Sequence, residues 1–128
     1  MKLDHTVPTK LSYADAVQSV IDRTAAHGFR VQFVHDVAAT LAEKGFEREP
    51  VTIVEICNAR FASQVLERDI KIGLMLPCPV MVYQQDGGVF ISTMLPSLIG
   101  SFFPEARIDE IAKEVEAIIM AIVDEAAG

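Results

Sequence analysis

Two cysteines are the residues of this sequence whose type and position could support chemistry. Cys57 ends a β-rich run over residues 51–57 and directly precedes Asn58, a favourable helix N-cap. The positive end of a helix stabilises a thiolate, and reactive cysteines acquire low pKa values in this way. Glu55, two residues earlier on the same strand face, opposes that effect. A free cysteine is also commonly a small buried hydrophobe.

The second cysteine, Cys78, lies in the run Leu-Pro-Cys-Pro at residues 76–79, where two prolines stiffen the backbone. This rigidity suits a positioned ligand or thiol, and it equally suits a rigid entry into a strand. The two cysteines are far apart and form no Cys-x-x-Cys unit, unlike a zinc ribbon or a thioredoxin motif. A soft metal could bind only if the fold brought Cys57, Cys78, Glu55 and a histidine together.

Two residues near Cys57 in the sequence could act as its base in a thiol enzyme, namely Glu55 and His35. His35 follows a predicted strand over residues 29–34 and precedes Asp36, a helix cap, so we expect it in an exposed loop. No serine or cysteine stands at a spacing that would complete a relay with a histidine. A catalytic role is therefore not favoured, and no motif fixes a cofactor.

The composition is that of an acidic domain that can bury a core. The 128 residues fit one domain, with a formal net charge of −7 and no cluster of Lys or Arg. Nucleic acid would be repelled and is not an expected partner. Residues 1–10 lack the apolar stretch of a secretory signal, so we expect a cytoplasmic protein whose cysteines are thiols.

The most apolar stretch, residues 72–104, contains one charged residue, Asp86. Prolines and glycines interrupt it too often for a membrane-spanning helix, so no stable membrane insertion is expected. Residues 95–104 instead predict an exposed apolar patch, of the kind that marks an interface, and a two-fold homodimer is the commonest form. The predicted contact residues are Leu95, Leu98, Ile99, Phe102 and Phe103.

The elements that position the cysteines are marked by caps, turns and periodicity. They are strand 2–7, helix 12–28, strand 29–34, short helix 36–44, strand 51–57, helix 58–68, strands 78–85 and 89–94, and helix 108–124. The order β-α-β-(α)-β-α-β-β-α predicts an α+β two-layer sandwich, a mainly antiparallel sheet with helices on one face. We expect a single domain over residues 1–128, with its core at about 12–124. Asp124 and Glu125 oppose the last helix's dipole, which predicts a frayed end.

Two separated motifs carry a resemblance to a known family. They are Glu-Ile-Cys-Asn at residues 55–58 and Gly-Leu-Met-Leu-Pro-Cys at residues 73–78, which enters a strand. Together they resemble the domain of unknown function 302 family over about residues 12–124, and Cys57 and Cys78 match its motif positions. The family's frequent Cys-Asn-Pro is Cys-Asn-Ala here, and Leu95 stands where an acid often precedes the proline. The resemblance implies a compact two-layer α/β domain, often dimeric, with no agreed activity.

Three functional hypotheses follow from these residues. The first is a binding or sensing module in which Cys57 and Cys78 form a site for a small molecule, a metal or an oxidant. The second is a non-catalytic interaction domain that docks through residues 95–104. The third is a thiol-dependent enzyme with Cys57 as its nucleophile. The sequence alone leaves all three open.

Overall fold

The strands form one antiparallel sheet in the structure, a computed structural model that describes residues 2–128. The strands are β1 (Asp4–Thr9), β2 (Arg30–Asp36), β3 (Val51–Cys57), β4 (Cys78–Gln85) and β5 (Gly88–Met94). They pair in the spatial order β1-β5-β4-β3-β2. The central strands β3 and β4 are neighbours, whereas β1 and β2 form the two edges of the sheet.

Five α-helices connect and cover the strands in the described part of the chain. They are α1 (Tyr13–Ala26), α2 (Val37–Ala42), α3 (Ala59–Arg68), α4 (Ser97–Phe102) and α5 (Asp109–Ala126), with 3-10 helices at Ile70–Met75 and Pro104–Ala106. The predicted α+β class and element order are confirmed. Helix α4 and both 3-10 helices lie where the sequence predicts no regular element. Within residues 2–128, no helix has the length and apolar composition needed to cross a membrane.

Local signals account for the ends of several elements. The Ser12 side chain accepts a hydrogen bond of 3.1 Å from the Asp15 backbone N–H, which begins α1. The turn between β4 and β5 needs positive φ angles at two successive residues, and Asp86 and Gly87 adopt 51° and 82°. The predicted hairpin is therefore present, and its turn fixes the register of the two strands.

Alternate strand residues divide the sheet into two faces. Val54 pairs with Val80, and both are fully buried against α1 and α5 in the main core cluster. We call this side the helix-covered face. Intervening residues such as Ile53 and Met81 lie on the opposite side, the open face. Among residues 2–128, the strand residues that share this face with Ile53 and Met81 are not part of the main core cluster.

A second core cluster lies beyond one end of the sheet. It includes part of residues 95–104, so the prediction that this segment forms an exposed patch is wrong. Of the five predicted contact residues, only Phe102 is exposed (64%). Leu95 and Phe103 are half-buried, and Leu98 and Ile99 are buried. The reason is that α4 packs against α5, and Ile99 joins Ile72 and Ile108 in a core of their own. The segment is apolar chiefly because it is interior.

The end of α5 is held by side chains from distant parts of the chain. Asp124 Oδ1 lies 2.7 Å from His5 Nε2 on β1, and Glu125 Oε2 lies 3.0 Å from His27 Nε2. These contacts hold the last turn in place despite the unfavourable interaction with the helix dipole, so the helix continues to Ala126 and the predicted frayed end is absent. Docking of α5 therefore closes the core over the sheet.

Candidate functional site

The two cysteines lie at the same end of the sheet. Cys57 is the last residue of β3, and Cys78 is the first residue of β4, the next strand across the sheet. The register pairs Ile56 with Cys78, so the two cysteines are diagonal neighbours across two adjacent strands. The fold thus brings together two residues that the sequence keeps apart. We call them the thiol pair.

A small pocket, the thiol pocket, lies where the sheet meets α3, α5 and the 3-10 helix at Ile70–Met75, and its volume is about 40 Å³. Both cysteines border it. The surrounding side chains are almost entirely apolar, and they include Phe29, Phe61, Val65, Ile72, Ile108 and Val115. Sites for drug-sized ligands occupy roughly 300–1,000 Å³, so this one accepts only a few heavy atoms unless its walls move.

The protonation state of the thiol pair is set mainly by burial. Burial raises the pKa of Cys78 to about 11, and the nearby Cys57 adds to that rise. Burial also raises the pKa of Cys57, although a hydrogen bond with the Asn58 backbone lowers it in part. Of the two alternatives for Cys57, the structure favours the small buried hydrophobe over the activated thiolate, because desolvation outweighs the stabilising amide. Both side chains are thiols at neutral pH.

Asn58 has a structural role beside the thiol pair. Its side-chain oxygen accepts a hydrogen bond of 3.2 Å from the Phe61 backbone N–H, which makes it the N-cap of α3, as the sequence predicts. Its amide nitrogen donates a hydrogen bond of 3.3 Å to the Gly28 carbonyl, just before β2. Asn58 therefore joins the start of α3 to the start of β2 and holds one side of the thiol pocket.

Replacing Asn58 with alanine will lower the free energy of unfolding by about 1 kcal/mol, because the helix loses its cap and the link to Gly28. The Asn58→Asp variant is the comparison, since it keeps the acceptor for the Phe61 N–H, loses the donor to Gly28 and adds a negative charge that the helix N-terminus favours. Urea denaturation of both variants measures the effect. Equal stability of the alanine variant and the wild type would contradict the assigned role.

Within residues 2–128, neither predicted base is hydrogen-bonded to Cys57. His35 pairs with Ile53, four residues along β3 from Cys57, which corresponds to about 13 Å along the strand. Its Nε2 instead lies 3.2 Å from Thr40 Oγ1. Glu55 lies two residues before Cys57 on β3 and pairs with Pro79, and among residues 2–128 no hydrogen bond joins its carboxylate to the Cys57 thiol. The geometry therefore gives no base to the thiol-enzyme hypothesis.

The four-ligand metal site considered from the sequence is not assembled either. No group of three or more His, Cys, Asp and Glu residues within residues 2–128 has metal-binding geometry. His5 and His27 contact carboxylates on α5, and His35 lies on β2.

The walls of the thiol pocket are the part of the site that sequence reasoning misses. They come from distant segments, with Phe29 before β2, Phe61 on α3 and Val115 on α5. Phe29 and Phe61 are buried and contact each other, with ring centroids 6.2 Å apart. Helical spacing does predict that Phe61 is buried, but no local signal shows that these residues border the cysteines.

The fold and site define a class of protein: a two-layer α+β domain with a protonated thiol pair at an apolar pocket. The chain belongs to the family described as Domain of unknown function DUF302, which matches residues 5–126. It is similar to the crystal structure of an uncharacterized conserved protein DUF302 from Bacillus stearothermophilus. That comparison has 27% sequence identity and a TM-score of 0.93, and it covers 98% of this chain and 99% of that chain. No curated protein matches the sequence.

Proposed function

We propose that this protein is a cytoplasmic binding or sensing module that holds a small uncharged ligand in the thiol pocket, beside Cys57 and Cys78. The observation that carries the proposal is the pocket itself, which is apolar and bordered by both thiols. Other protein families also form ligand sites from an apolar wall with a few placed polar groups. The two sulfurs take that place here, since both polar atoms of the Asn58 side chain are already hydrogen-bonded to Phe61 and Gly28.

The chemistry of the lining selects the class of ligand. No charged side chain borders the pocket, so an ionic ligand would lose its hydration without gaining a partner. Sulfur is soft and polarizable, and it packs well against apolar and aromatic groups. A small apolar molecule therefore fits the pocket better than a phosphate, a sugar or an amino acid.

The two thiols differ in accessibility, which gives them different roles in the proposed module. The Cys78 thiol is the more deeply buried, and its pKa is about 11. Both cysteines are half-buried by surface area, but Cys57 is less desolvated and ends its strand, so a reagent or an oxidant from solution meets it first. We assign Cys78 to the inner wall of the site and Cys57 to its entrance.

Native alkylation will separate these roles. With iodoacetamide near pH 7.5, Cys57 will react slowly and Cys78 at least about tenfold more slowly, because only the thiolate attacks and the deeper thiol is the harder to ionise. Peptide mass spectrometry measures both rates. The variants Cys57→Ser and Cys78→Ser confirm the assignment of each labelled peptide.

A reference cysteine makes the rates quantitative. Leu74→Cys in the Cys57→Ser/Cys78→Ser background places a thiol at a position that is 83% exposed, on the 3-10 helix beside the pocket. It supplies the rate of a free surface thiol in the same protein. If both native cysteines react only after unfolding in urea, no reagent enters the pocket and the proposal fails.

A further inference from the structure

The open face of the sheet carries a second and larger site, which we call the open-face groove. Its volume is about 450 Å³, within the roughly 300–1,000 Å³ that suits a drug-sized ligand. It is bordered on the β1 side by Leu3, Asp4 and Met94. Across four strands it is lined by one row of residues in register: Ile53, Met81, Ser92 and Thr6. The groove therefore accepts organic molecules that the 40 Å³ thiol pocket excludes.

Helix α2 lies at another part of the same face and does not line the groove. Val51, on that face, is buried, and His35 Nε2 lies 3.2 Å from Thr40 Oγ1 on α2. Neither Val51 nor His35 borders the groove. Within residues 2–128, the open-face groove and the thiol pocket have no lining residue in common. A ligand can therefore occupy either site without the other.

A chain of hydroxyl groups decides which hydrogen bonds the β1 side of the groove can make. Thr6 Oγ1 donates a hydrogen bond to Asp4 Oδ2. A hydroxyl has one proton, so the 2.6 Å bond between Thr6 Oγ1 and Ser92 Oγ is donated by Ser92. Thr93 donates its own proton to the Pro79 carbonyl. Among the lining side chains of residues 2–128, this side therefore offers oxygen acceptors and no free donor.

The charge of the groove is negative. Asp4 is the one charged residue within residues 2–128 that borders it, and no Lys, Arg or His in that range forms an ion pair with Asp4. Glu55 pairs with the lining residue Pro79, so a second carboxylate adds to the negative potential nearby. The net charge of −7 for the whole chain acts in the same direction. The groove therefore attracts cations and repels anions.

We propose that the open-face groove binds a small organic amine, with its protonated nitrogen against Asp4 and its apolar body across β5 and β4. An ammonium group has donors and no acceptor, which matches a lining of acceptors, and its hydrogen bond to a carboxylate is charge-assisted. The body lies against Met81 and Met94, whose thioethers adapt their shape and pack favourably with aromatic rings. A bare metal cation would satisfy the charge but would leave the apolar wall in water.

Three probes of similar shape and different charge test the proposal: phenethylamine, phenethyl alcohol and hydrocinnamate. NMR of the labelled methionine methyl groups at pH 7 reports on both sites, because Met81 and Met94 border the groove and Met75 packs against the second core cluster, which borders the thiol pocket. The amine will shift the Met81 and Met94 signals and bind at least about tenfold more tightly than the alcohol. Hydrocinnamate will not bind, and Met75 will not respond to the amine.

Asp4→Asn removes the charge and keeps the size of the side chain and an acceptor for Thr6. It will lower the affinity for phenethylamine to about that for phenethyl alcohol, whose own affinity will not change. The matched control is Asp22→Asn on α1, which removes the same charge from an exposed position on the helix-covered side. Its affinity for the amine will stay within about twofold of the wild type, since only long-range charge changes. Circular dichroism checks that both variants fold.

Equal affinities of the wild type for the amine and the alcohol would overturn the proposal. So would an Asp4→Asn variant that binds the amine as tightly as the wild type does. Light scattering identifies the competing occupant: if Met81 and Met94 ignore all three probes and the mass is twice the 14.0 kDa of one chain, a second copy fills the groove and the proposal is wrong. None of these readouts depends on thiol labelling, so the groove and the thiol pocket are tested separately.

Discussion

Replacing Ile72 with alanine will lower the free energy of unfolding by about 3–4 kcal/mol and will expose Cys78 to alkylation. Ile72 is fully buried, belongs to the second core cluster and borders the thiol pocket. Truncation of a buried isoleucine removes apolar contacts and leaves a cavity that the surroundings fill only in part, which costs roughly 2–5 kcal/mol. The loss is a large share of the roughly 5–15 kcal/mol that stabilises a typical domain.

The functional part of this prediction follows from where the new cavity forms. The removed methyl and methylene groups join the existing 40 Å³ pocket, so the enlarged space adjoins the thiol pair. Iodoacetamide should then label native Cys78 at least about tenfold faster than in the wild type, while Cys57 changes less. Urea denaturation and peptide mass spectrometry measure the two effects on the same preparation.

The matched control for this prediction lies two residues away on the same 3-10 helix. Leu74 is 83% exposed, so Leu74→Ala removes a similar number of atoms without opening a cavity in the core. Its stability should stay within about 0.5 kcal/mol of the wild type, with unchanged labelling. If Ile72→Ala behaves like Leu74→Ala, then Ile72 does not seal the pocket and the site as described is incorrect.

The parts of this fold that the sequence predicts are those with local causes. The Asp86-Gly87 turn needs residues that tolerate positive φ, and both the dipeptide and the hairpin are present. Asn58 and Ser12 cap helices through side-chain hydrogen bonds to residues three positions later. Such interactions depend on a few neighbouring residues, so they can be read without knowing the rest of the chain.

The parts that the sequence does not predict depend on pairing between distant elements. In β3, one face carries Val54 and Ile56 and the other carries Ile53 and Val51, so apolar periodicity does not show which face the helices cover. For the same reason, the apolar segment that forms α4 is predicted to be an exposed patch, although most of it is buried. Amphipathic packing against α5 is a tertiary effect, and it decides that Leu98 is buried.

The site shows the same division. Cys57 and Cys78 can be chosen from the sequence, but their proximity follows from the register of β3 against β4, which pairs Ile56 with Cys78. Whether their pKa values are raised or lowered also depends on burial by residues from other elements. A helix N-terminus beside a cysteine therefore does not predict a thiolate when the surrounding core is apolar.

Raising the pH from 7 to about 11 will destabilise the wild type by about 2–3 kcal/mol more than it destabilises the Cys78→Ala variant. Burial raises the Cys78 pKa from its ordinary value of 9.0 to about 11, so the folded protein holds this proton more tightly than the unfolded chain does. The corresponding stability is fully present below about pH 9 and is lost as the pH rises through about 11. A difference of about two pKa units corresponds to nearly 3 kcal/mol.

Urea denaturation across this pH range measures the difference between the two proteins, which removes contributions they share, such as the raised pKa of Tyr13. Cys78→Ala will be less stable at neutral pH, because it leaves a small cavity, but its stability will fall less steeply in alkali. Cys57→Ala is the matched control. It removes the less desolvated thiol and the part of the Cys78 rise that Cys57 causes, so its stability should fall less steeply than that of the wild type but more steeply than that of Cys78→Ala. Parallel curves for wild type and Cys78→Ala would mean that water reaches Cys78 in the folded protein, and the thiol pocket would then be too wet to select an apolar ligand.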